Sequence, residues 1–300
     1  MEKPELSIII VSYNTKNITK ECIDKVVKSL ANSKLKYEIV VVDNASKDGS
    51  VKMFQQYRQK LKDKLNLILS DENLGFGRGN NLGIKHAKGK YLLLLNSDAF
   101  ALDDAISKLL KFYKQNEDHI HFLGPKLHNK DMSDQPSAAH FYTLPIIFAA
   151  LFMKGDYWGL TRFSPNRFQR VDWISGACIL TKKKYYDGLE GFDKTIFMYM
   201  EEVDLLYRAK QMGYSTHFYP GARFIHLGSA SSGGRTFPII QVYKGFLFFY
   251  KKHYSDSALF WLKFMLKLKA GIAVLIGRIT QNRYLIDTYE KAYQLVKMDR

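Results

Sequence analysis

Short, fully hydrophobic segments alternate with amphipathic ones over the first hundred residues. Leu6–Val11, Tyr37–Val42, Leu65–Leu69 and Tyr91–Leu95 are apolar runs of strand length, and we expect them to be buried strands. Between the first two runs, residues 18–30 repeat apolar side chains at helical spacing. Strands that are hydrophobic on both faces and alternate with helices predict an α/β fold with a mostly parallel sheet flanked by helices.

The pattern changes after the predicted sheet core. Residues 131–170 are irregular and rich in proline and aromatic residues, which is typical of an insertion beside a binding site. Regularity returns with a predicted strand at Trp173–Leu180 and a predicted helix at Glu201–Met212. From about residue 239 the chain is aromatic, lysine-rich and helical in pattern.

Polar side chains stand where the predicted strands end. Ser12 and Tyr13 follow the first strand, Asp43 ends the second, and Asn96 and Asp98 follow the strand at 91–95. In parallel α/β sheets, ligands bind at the carboxyl ends of the strands. The sequence therefore predicts a binding site formed by these residues.

A glycine-rich segment, Asn73–Asn81, is predicted to be a loop that opens a helix. Its backbone N–H groups, together with Arg78, could approach a phosphate at the helix N-terminus. The glycine spacing differs from the dinucleotide-binding fingerprint, and the segment follows the third strand instead of the first. A tight turn followed by a helix start explains the glycines equally well.

Each candidate for chemistry also has a structural explanation. Asp98 could bind a hard cation shared with substrate phosphates, or cap a helix starting near Leu102, which Asp103 could do as well. Glu201, Glu202 and Asp204 could include a general base, or could favour a helix N-terminus through the macrodipole. The last candidate is His226, which follows an apolar segment. A lone histidine in such a position is usually structural.

Charge and cysteine content limit the partners and the cellular setting that fit this chain. The 300 residues carry 45 Lys and Arg against 29 Asp and Glu, a net charge of +16, which favours anionic partners such as phosphorylated ligands, nucleic acid or anionic lipid. A basic, solvated surface without such a partner is the alternative. Only two cysteines occur, which excludes a disulfide framework and favours a reducing, cytoplasmic setting. We expect no signal peptide and no membrane span, since the best stretch, Ala258–Ile276, contains three lysines.

Seven motifs together resemble family 2 glycosyltransferases of the GT-A fold, especially the rhamnosyltransferase-like branch. In chain order they are SIIIVSYN, VVDNASKDGS, NLGFGRGNN, YLLLLNSDAF, WISGACIL, GFDKTIFMYMEEVDLLYRAKQMGY and PGARFIHLGS. The resemblance runs from Leu6 to about Ser232. It implies a Rossmann-like, mostly parallel central sheet with a C-terminal helical extension.

The resemblance also implies roles for individual residues. It assigns the donor's base to Tyr13 and Asp43, a Mg²⁺ or Mn²⁺ site to Asp98 and His226, and the catalytic base to Glu202, with Glu201 as the alternative. The remaining residues expected to bind substrate are Ser12, Gly75, Arg78, Asn81, Trp173, Gly176, Asp204 and Arg235. Arg235 belongs to the glycine- and serine-rich segment 228–236, which we interpret as a lid over the donor diphosphate.

Two departures from the family pattern affect these expectations. The metal-binding D-x-D motif is Asn96-Ser97-Asp98, which leaves one carboxylate and predicts a weaker metal site or more reliance on His226. The base position holds Glu202 where aspartate is commoner, and the extra methylene moves the carboxylate by roughly 1 Å.

The sequence thus predicts a metal-dependent, inverting glycosyltransferase (a hexosyltransferase) of cell-surface polysaccharide synthesis. We expect it to use a nucleoside diphosphate sugar, with rhamnose as one candidate, and a glycan or lipid-linked glycan acceptor. A catalytic domain is predicted over 1–238, with a nucleotide-binding half to about 125 and an acceptor half from 126. The alternatives are a sugar nucleotidyltransferase, or a non-catalytic relative that binds sugar or lipid.

Residues 239–300 are predicted to form a helical, membrane-proximal segment. Residues 241–300 hold 11 Lys and Arg against 4 Asp and Glu, interleaved with aromatic residues such as Phe246, Phe249 and Trp261. Such a pattern indicates an interfacial helix and peripheral attachment to the inner face of the cell membrane. Packing on the core or a homo-oligomer contact are the alternatives, and no nucleic-acid recognition motif is found.

Overall fold

The computed structural model describes residues 3–228 and 236–299. These residues divide into two compact units. The first contains the described residues up to 139, residues 163–197 and residues 202–228, and the second contains residues 140–162, 198–201 and 236–299. The domain boundaries expected near residues 125 and 238 stay predictions.

Strands and helices follow one another along the described residues of both units. The strands are β1 (Leu6–Ser12), β2 (Tyr37–Asp43), β3 (Leu65–Leu69), β4 (Tyr91–Leu95), β5 (Ala99–Ala101), β6 (Phe122–His128), β7 (Asp134–Gln135), β8 (Ala138–Ala139), β9 (Arg162–Phe163), β10 (Gln169–Val171), β11 (Trp173–Ile174), β12 (Cys178–Lys182) and β13 (Thr216–His226). The helices, counted through the described chain, are α1 (Lys16–Ser29), α2 (Ser50–Leu61), α3 (Gly75–Lys85), α4 (Ala105–Gln115), α5 (Leu144–Phe152), α6 (Lys183–Gly188), α7 (Glu201–Gln211), α8 (Thr236–His253), α9 (Asp256–Ile279) and α10 (Arg283–Met298), with a 3-10 turn at Lys62–Lys64.

The central sheet is mixed but mostly parallel, as predicted. Within the described residues its main order is β10-β13-β6-β12-β4-β1-β2-β3. Strands β3, β2, β1 and β4 are parallel neighbours, and β12 is antiparallel to β4 and β6. Ser12 pairs with Asp43 in the β1–β2 register, so the carboxyl ends of these two strands lie side by side.

Alternation along the strands buries both faces of the sheet. Leu6, Ile8 and Ile10 join a core cluster with side chains of α1, α2 and α4. Ile9 points to the other face, where α3 comes so close that a Cβ on Gly83 would lie 2.7 Å from Ile9 Cγ2. The continuous apolar runs therefore reflect burial on two sides.

Three local expectations are wrong. The predicted strand at Trp173–Leu180 is broken into β11 and β12, which belong to different sheets, with a turn between them. The glycine-rich segment opens a helix, as predicted, but its glycines are not in a loop, since α3 begins at Gly75 and includes them. Neither Asp98 nor Asp103 caps α4, which begins at Ala105 with Asp104 at the N-cap position.

The second unit is built mainly from helices α5, α8, α9 and α10. Phe249 and Tyr250 of α8 are fully buried, and the Tyr250 hydroxyl donates to the Tyr142 carbonyl (2.9 Å). Phe246 and Phe249 of α8, which we expected at a membrane surface, are therefore core residues. Among the described residues, each helix is too short or too polar to cross a membrane.

Candidate active site

The loops after β1 and β2 are tied together by hydrogen bonds. The Asn14 side-chain oxygen accepts from the Lys47 N–H (2.7 Å), and the Asn14 N–H donates to Ser46 Oγ (2.9 Å). Asn14 has a left-handed backbone (φ 52°), which asparagine adopts more easily than most residues. These bonds hold the loop that carries Tyr13 against the end of β2, where Asp43 lies.

Asp43 has the burial and the unmatched hydrogen-bonding capacity expected of a ligand-binding carboxylate. The residue is 1% exposed, and one carboxylate oxygen accepts from the Ser46 N–H (2.9 Å). The other oxygen, Oδ1, has no hydrogen-bond partner among the residues that the structure describes. A buried acceptor without a donor is costly, so Asp43 is suited to accept from an N–H group of a bound base.

The side chain of Ser12 is directed to the start of α1. Its hydroxyl lies 3.1 Å from the Thr15 hydroxyl and 3.0 Å from the Thr19 hydroxyl, and all three residues are buried. Tyr13, by contrast, is 37% exposed. Ser12 therefore anchors the β1 loop, and its contact with substrate stays a prediction, whereas Tyr13 is accessible to a ligand.

The first turn of α3 approaches the segment before α7 through Gly75. Gly75 has φ 77°, and a Cβ there would lie only 2.1 Å from the Phe197 carbonyl oxygen. That oxygen accepts from the Phe76 N–H (3.1 Å). Asn44, which follows Asp43, donates its amide to the Gly75 carbonyl (3.0 Å). Glycine at position 75 thus permits this close arrangement.

Arg78 and Asn81 are engaged with protein groups. The Arg78 guanidinium donates to Glu72 (2.7 Å), and both side chains are exposed. The Asn81 amide donates to the Phe192 carbonyl (2.8 Å), and its oxygen accepts from the Tyr186 hydroxyl (2.6 Å). Both residues line a cavity of about 450 Å³ between α3 and α6. Their contacts with a donor stay predictions.

Asp98 and His226 are neighbours, as the metal-site hypothesis requires. Asp98 Oδ1 lies 3.3 Å from His226 Nε2, and both side chains are largely buried. The two residues are joined by backbone as well, since β13 pairs with β5 and the Leu227 N–H donates to the Asp98 carbonyl (3.1 Å). Sheet pairing therefore brings together two residues 128 positions apart in the chain.

Gln135 sets which ring nitrogen of His226 carries the hydrogen. Its amide nitrogen donates to the His226 carbonyl (3.0 Å), which fixes the orientation of the amide. Its oxygen is therefore the atom 2.7 Å from His226 Nδ1, and Nδ1 must carry the hydrogen. In the neutral ring, Nε2 is then an acceptor, which lies 3.4 Å from the Asn96 amide nitrogen and 3.3 Å from Asp98 Oδ1.

This geometry fits a cation between the two residues. Two acceptors 3.3 Å apart repel each other unless a proton or a cation lies between them. The Asn96 Oδ1 atom is buried and has no partner in the described part of the chain. Among the described residues no group of three His, Cys, Asp or Glu side chains could hold a metal, so further ligands would come from substrate phosphates.

A buried thiol lies beneath this loop. Cys22 donates to the carbonyls of Asn96 and Ala99, at sulfur–oxygen distances of 3.6 Å and 3.3 Å. Burial, with a smaller contribution from the Asp98 carboxylate, raises the pKa of the Cys22 thiol far above its usual range. Cys22 therefore stays a neutral thiol that supports the loop, and its low reactivity agrees with its burial.

Glu202 lies beside the loop between β11 and β12. A Cβ on Gly176 would lie 3.5 Å from the Phe76 ring and 3.6 Å from Glu202 Cβ. The next residue, Ala177, accepts at its carbonyl from the Asn96 N–H (2.9 Å). Gly176 thus stands between Glu202 and the segment that leads to Asp98, and the structure brings these predicted site residues into one region.

The other acidic residues of α7 differ in their surroundings. Asp204 is fully buried and accepts from Arg208 (2.8 Å), which also donates to the carbonyls of Leu189 and Gly191. Asp204 therefore supports the loop before α7, and a substrate contact stays a prediction. Glu201 is 5% exposed, which makes it less accessible to substrate than Glu202, whose exposure is intermediate.

The backbone before α7 is strained. Tyr199 and Met200 both have positive φ angles, of 67° and 74°, which are costly for residues with large side chains. Gly245 of α8 permits close packing here, since a Cβ on it would lie 2.5 Å from Met200 Cγ. Strained backbone next to a carboxylate is frequent at functional sites, where the surrounding packing holds it.

Trp173 and Arg235 are the remaining predicted site residues. Trp173 is 4% exposed in β11, which pairs with Ala139 in a small second sheet, so its role is structural in the free protein and an acceptor contact stays a prediction. Arg235 and the central part of the proposed lid lie outside the described residues. Sequence reasoning missed Gln135 and Asn44. Asn44 stands in the motif VVDNASKDGS but was assigned no role, whereas Gln135 stands in none of the seven motifs and meets His226 only through the fold.

Comparison with known proteins places the chain among sugar-transferring enzymes. The family model for glycosyl transferase family 2 matches residues 7–176. The poly(ribitol-phosphate) β-glucosyltransferase of Bacillus spizizenii is 33% identical over 39% of this chain, which spans only 18% of that protein. Rhamnosyltransferase WbbL of Escherichia coli is 27% identical over 73% of this chain and 82% of its own length.

Two further comparisons concern a lipid-linked substrate and the fold. The N-acetylglucosaminyl-diphospho-decaprenol L-rhamnosyltransferase of Mycobacterium tuberculosis is 26% identical over 65% of this chain and 68% of its own length. The mannosyltransferase of Pyrobaculum calidifontis, solved with GDP-mannose and Mn²⁺, superposes with a TM-score of 0.59 at 16% identity, over 97% of this chain and 74% of its own. This similarity confirms the predicted GT-A fold.

Proposed function

Since the chain belongs to glycosyl transferase family 2, we propose that it transfers a sugar from a nucleoside diphosphate sugar to an acceptor hydroxyl, with inversion at the anomeric carbon. The observation that carries this proposal is the pairing of Asp98 with His226 (3.3 Å), with Glu202 at the start of α7 next to Gly176, in the loop whose Ala177 carbonyl accepts from the Asn96 N–H. The pair offers a cation site, and Glu202 offers a carboxylate that can accept a proton.

The nucleotide base is proposed to bind between the β1 and β2 loops. Asp43 Oδ1, buried and without a donor in the described part of the chain, accepts from an N–H of the base. Tyr13, 37% exposed on the neighbouring loop, covers the ring face. A base placed there leads its diphosphate towards Asp98, because the carboxyl ends of β1, β2 and β4 lie side by side.

Asp98 and the Nε2 atom of His226 are proposed to hold a divalent cation, with the Asn96 amide group, whose nitrogen lies 3.4 Å from Nε2, beside them. When bound, Mg²⁺ or Mn²⁺ would stabilise the charge of the departing diphosphate. Oxygen ligands suit both metals, and the related mannosyltransferase structure contains Mn²⁺. Gln135 keeps the proton of His226 on Nδ1, so that Nε2 is available.

Glu202 is proposed to be the general base. Its carboxylate takes the proton of the acceptor hydroxyl as that oxygen forms a bond to the anomeric carbon. The bond from that carbon to the phosphate oxygen breaks at the same time, and the nucleoside diphosphate leaves. Attack from the face opposite the leaving group inverts the configuration, and one carboxylate suffices because no proton has to be given to the diphosphate.

The relatives suggest the substrate class. Two relatives that align over most of this chain are named rhamnosyltransferases, one of them for an N-acetylglucosaminyl-diphospho-decaprenol substrate, and a third is named a hexosyltransferase. We propose a rhamnosyl or related hexosyl donor and a lipid-linked glycan acceptor of cell-surface polysaccharide synthesis. Such an acceptor would require the enzyme to work at the inner face of the cell membrane, attached peripherally.

The direct test is binding and turnover of a panel of nucleoside diphosphate sugars that includes glucosyl, mannosyl and rhamnosyl donors. We expect one donor to bind in the presence of Mg²⁺ or Mn²⁺, to be hydrolysed slowly without acceptor, and to lose affinity after EDTA treatment. Binding without any turnover, with acceptor glycans present, would support a non-catalytic relative. Formation of a sugar nucleotide from a sugar phosphate and a nucleoside triphosphate would support a nucleotidyltransferase, although Ser12-Tyr13-Asn14 stands where such enzymes need a glycine-rich basic loop.

A further inference from the structure

The long helix α9 of the second unit is apolar on two opposite sides. Its packed side carries Leu262, Leu266 and Ala270, all fully buried. The opposite side is exposed and remains apolar along almost the whole helix. The exposed residues, which we call the α9 stripe, include Phe260 (64% exposed), Trp261 (53%), Phe264 (51%), Leu268 (44%), Leu275 (59%) and Ile279 (74%).

The spacing of the α9 stripe makes it one continuous surface. Apart from the adjacent Phe260 and Trp261, successive members are three, four or seven residues apart, which a helix of 3.6 residues per turn places on one side. From residue 260 to residue 279 the stripe extends about 28 Å at 1.5 Å per residue. Exposed apolar surface of this size marks an interaction site, since scattered apolar residues would not align.

Basic side chains border the stripe on both edges. By helical geometry Lys267 and Arg278 lie along one edge and Lys269 along the other. Burial lowers the pKa of Lys269, and its ammonium lies 5.9 Å from the centre of the Phe152 ring of α5. The only acidic residue within α9 is Asp256, at its first position, and Arg278 pairs with Glu290 of α10 (3.1 Å). Lys267 and Lys269 therefore supply the cationic character of the stripe's edges.

A second group of exposed apolar residues belongs to the same unit. Helix α5 packs on α9, and Phe148 (47% exposed) stands on it. The segment after α5 presents Tyr157 (78% exposed) and Trp158 (68%). Tryptophan and tyrosine are the side chains that prefer the boundary between lipid headgroups and acyl chains.

We infer that the α9 stripe and the Tyr157–Trp158 segment form a membrane-binding face that lies in the headgroup region of an anionic lipid surface. Apolar residues with lysine stems along the edges match such a surface, because the stems cover apolar area while the ammonium groups reach the lipid phosphates. A second copy of the chain is disfavoured, because it would bring cationic edges together with few acidic residues to pair them. The inference rests on the proposed use of a lipid-linked acceptor, and its test requires no turnover.

The test is co-sedimentation of the full chain with phosphatidylcholine vesicles, with and without 30 mol% phosphatidylglycerol. We expect binding that is at least tenfold stronger with the anionic lipid. The variants Leu275→Ser and Trp158→Ser should each weaken it several-fold, while Leu69→Ser, which removes an equally exposed apolar side chain (53%) from the first unit, should leave it unchanged.

Two results would overturn the inference. Vesicle binding that the Leu275 and Trp158 variants retain in full would place the contact elsewhere. Absence of vesicle binding, with a dimer in light scattering that Leu275→Ser dissociates, would make the face a self-association surface. Thermal unfolding and binding of nucleoside diphosphates, measured on the same variants, separate this outcome from a failure of the proposed transfer function, because neither should change.

Discussion

At the scale of single residues, the assignment of the base depends on one carboxylate. We predict that Glu202→Gln keeps donor affinity and lowers kcat by about 10²–10⁴-fold, since the amide preserves the shape but cannot take the acceptor proton. Single-turnover kinetics and donor titration measure the two effects. Glu201→Gln is the matched control, because the neighbouring carboxylate is nearly buried. An inactive Glu201→Gln beside an active Glu202→Gln would move the base to residue 201.

A second prediction concerns the ring of His226. Gln135→Leu removes the acceptor of the Nδ1 hydrogen, so both tautomers become accessible and Nε2 is no longer held as a ligand. We expect about 10–100-fold weaker affinity for Mn²⁺ in the presence of a nucleoside diphosphate, measured by calorimetry. Gln135→Glu keeps an acceptor at the same distance and should retain most of the affinity. Equal affinity in all three proteins would leave Gln135 as a structural residue.

Candidate site residues could be named from the sequence where they stand in motifs. The structure brings Asp98 to His226 and Glu202 to the Gly176 loop, and the roles of these residues stay predictions. Gln135 could not be found, because its role depends on the neighbouring β7 and β6 strands that bring it to the end of β13. The ion pair of Arg78 with Glu72 could not be predicted either, because sequence spacing does not distinguish an exposed ion pair from a ligand contact.

At the scale of elements, the start of α3 depends on Gly75. We predict that Gly75→Ala destabilises the fold and weakens donor binding, because a Cβ would clash with the Phe197 carbonyl, and φ 77° is strained for alanine. Gly213→Ala provides the control, since Gly213 has φ 78° but nothing within 4 Å of the added atom. In denaturant unfolding, the control should lower the free energy of unfolding by about 1 kcal/mol, and Gly75→Ala should lower it by about 1–3 kcal/mol more. Equal costs would show that the backbone shifts freely.

Strand β13 gives the fold a pH-dependent contribution. Burial, followed by the charge of Arg170 on the paired strand β10, lowers the pKa of His217 to about 4. The unfolded chain, with an ordinary histidine pKa near 6.5, binds more protons between pH 6.5 and 4, so stability falls as the pH decreases through this range. We expect a loss of about 1–3 kcal/mol between pH 7 and 4 from this group.

The matched variant is His217→Phe, which keeps a ring to stack on Phe168 (centroids 5.1 Å apart) but cannot titrate. Its unfolding free energy should vary less with pH than that of the parent chain by this amount. Identical pH profiles for the two proteins would mean that other groups, such as His121, account for the dependence.

Elements with a long, regular pattern were predicted well, and short ones were not. Strands β1, β2, β3 and β4 are continuous apolar runs, and their bounds differ from the prediction by at most one residue. The run at Trp173–Leu180 reads as one strand because its apolar residues continue through the turn at Ser175-Gly176-Ala177. Only tertiary pairing, of Trp173 with Ala139 and of Cys178 with Leu95, divides it between two sheets.

At the scale of the whole molecule, the sequence identified a basic, aromatic C-terminal part but not which aromatic residues are exposed. Composition cannot separate Phe249, which is fully buried in α8, from Phe264, which is half exposed on α9. Both lie in helices with apolar residues on more than one side, and only packing decides which side becomes core. The exposed segment around Trp158 was missed because it precedes the basic tail by about eighty residues.

The last prediction separates the charge of the whole chain from the charge of one surface. A net charge of +16 would attract any anionic vesicle weakly and without orientation. If the α9 stripe is the contact, Lys267→Gln with Lys269→Gln should remove about 2 kcal/mol, roughly a thirtyfold loss of affinity for anionic vesicles at 0.1 M salt. Lys28→Gln with Lys52→Gln removes equal charge from exposed positions in the first unit and should change affinity less than twofold.

At 1 M salt, where screening reaches about 3 Å, all three proteins should bind equally and weakly through the apolar stripe. A control pair as damaging as the α9 pair would mean that diffuse charge, and no particular face, draws the protein to the membrane.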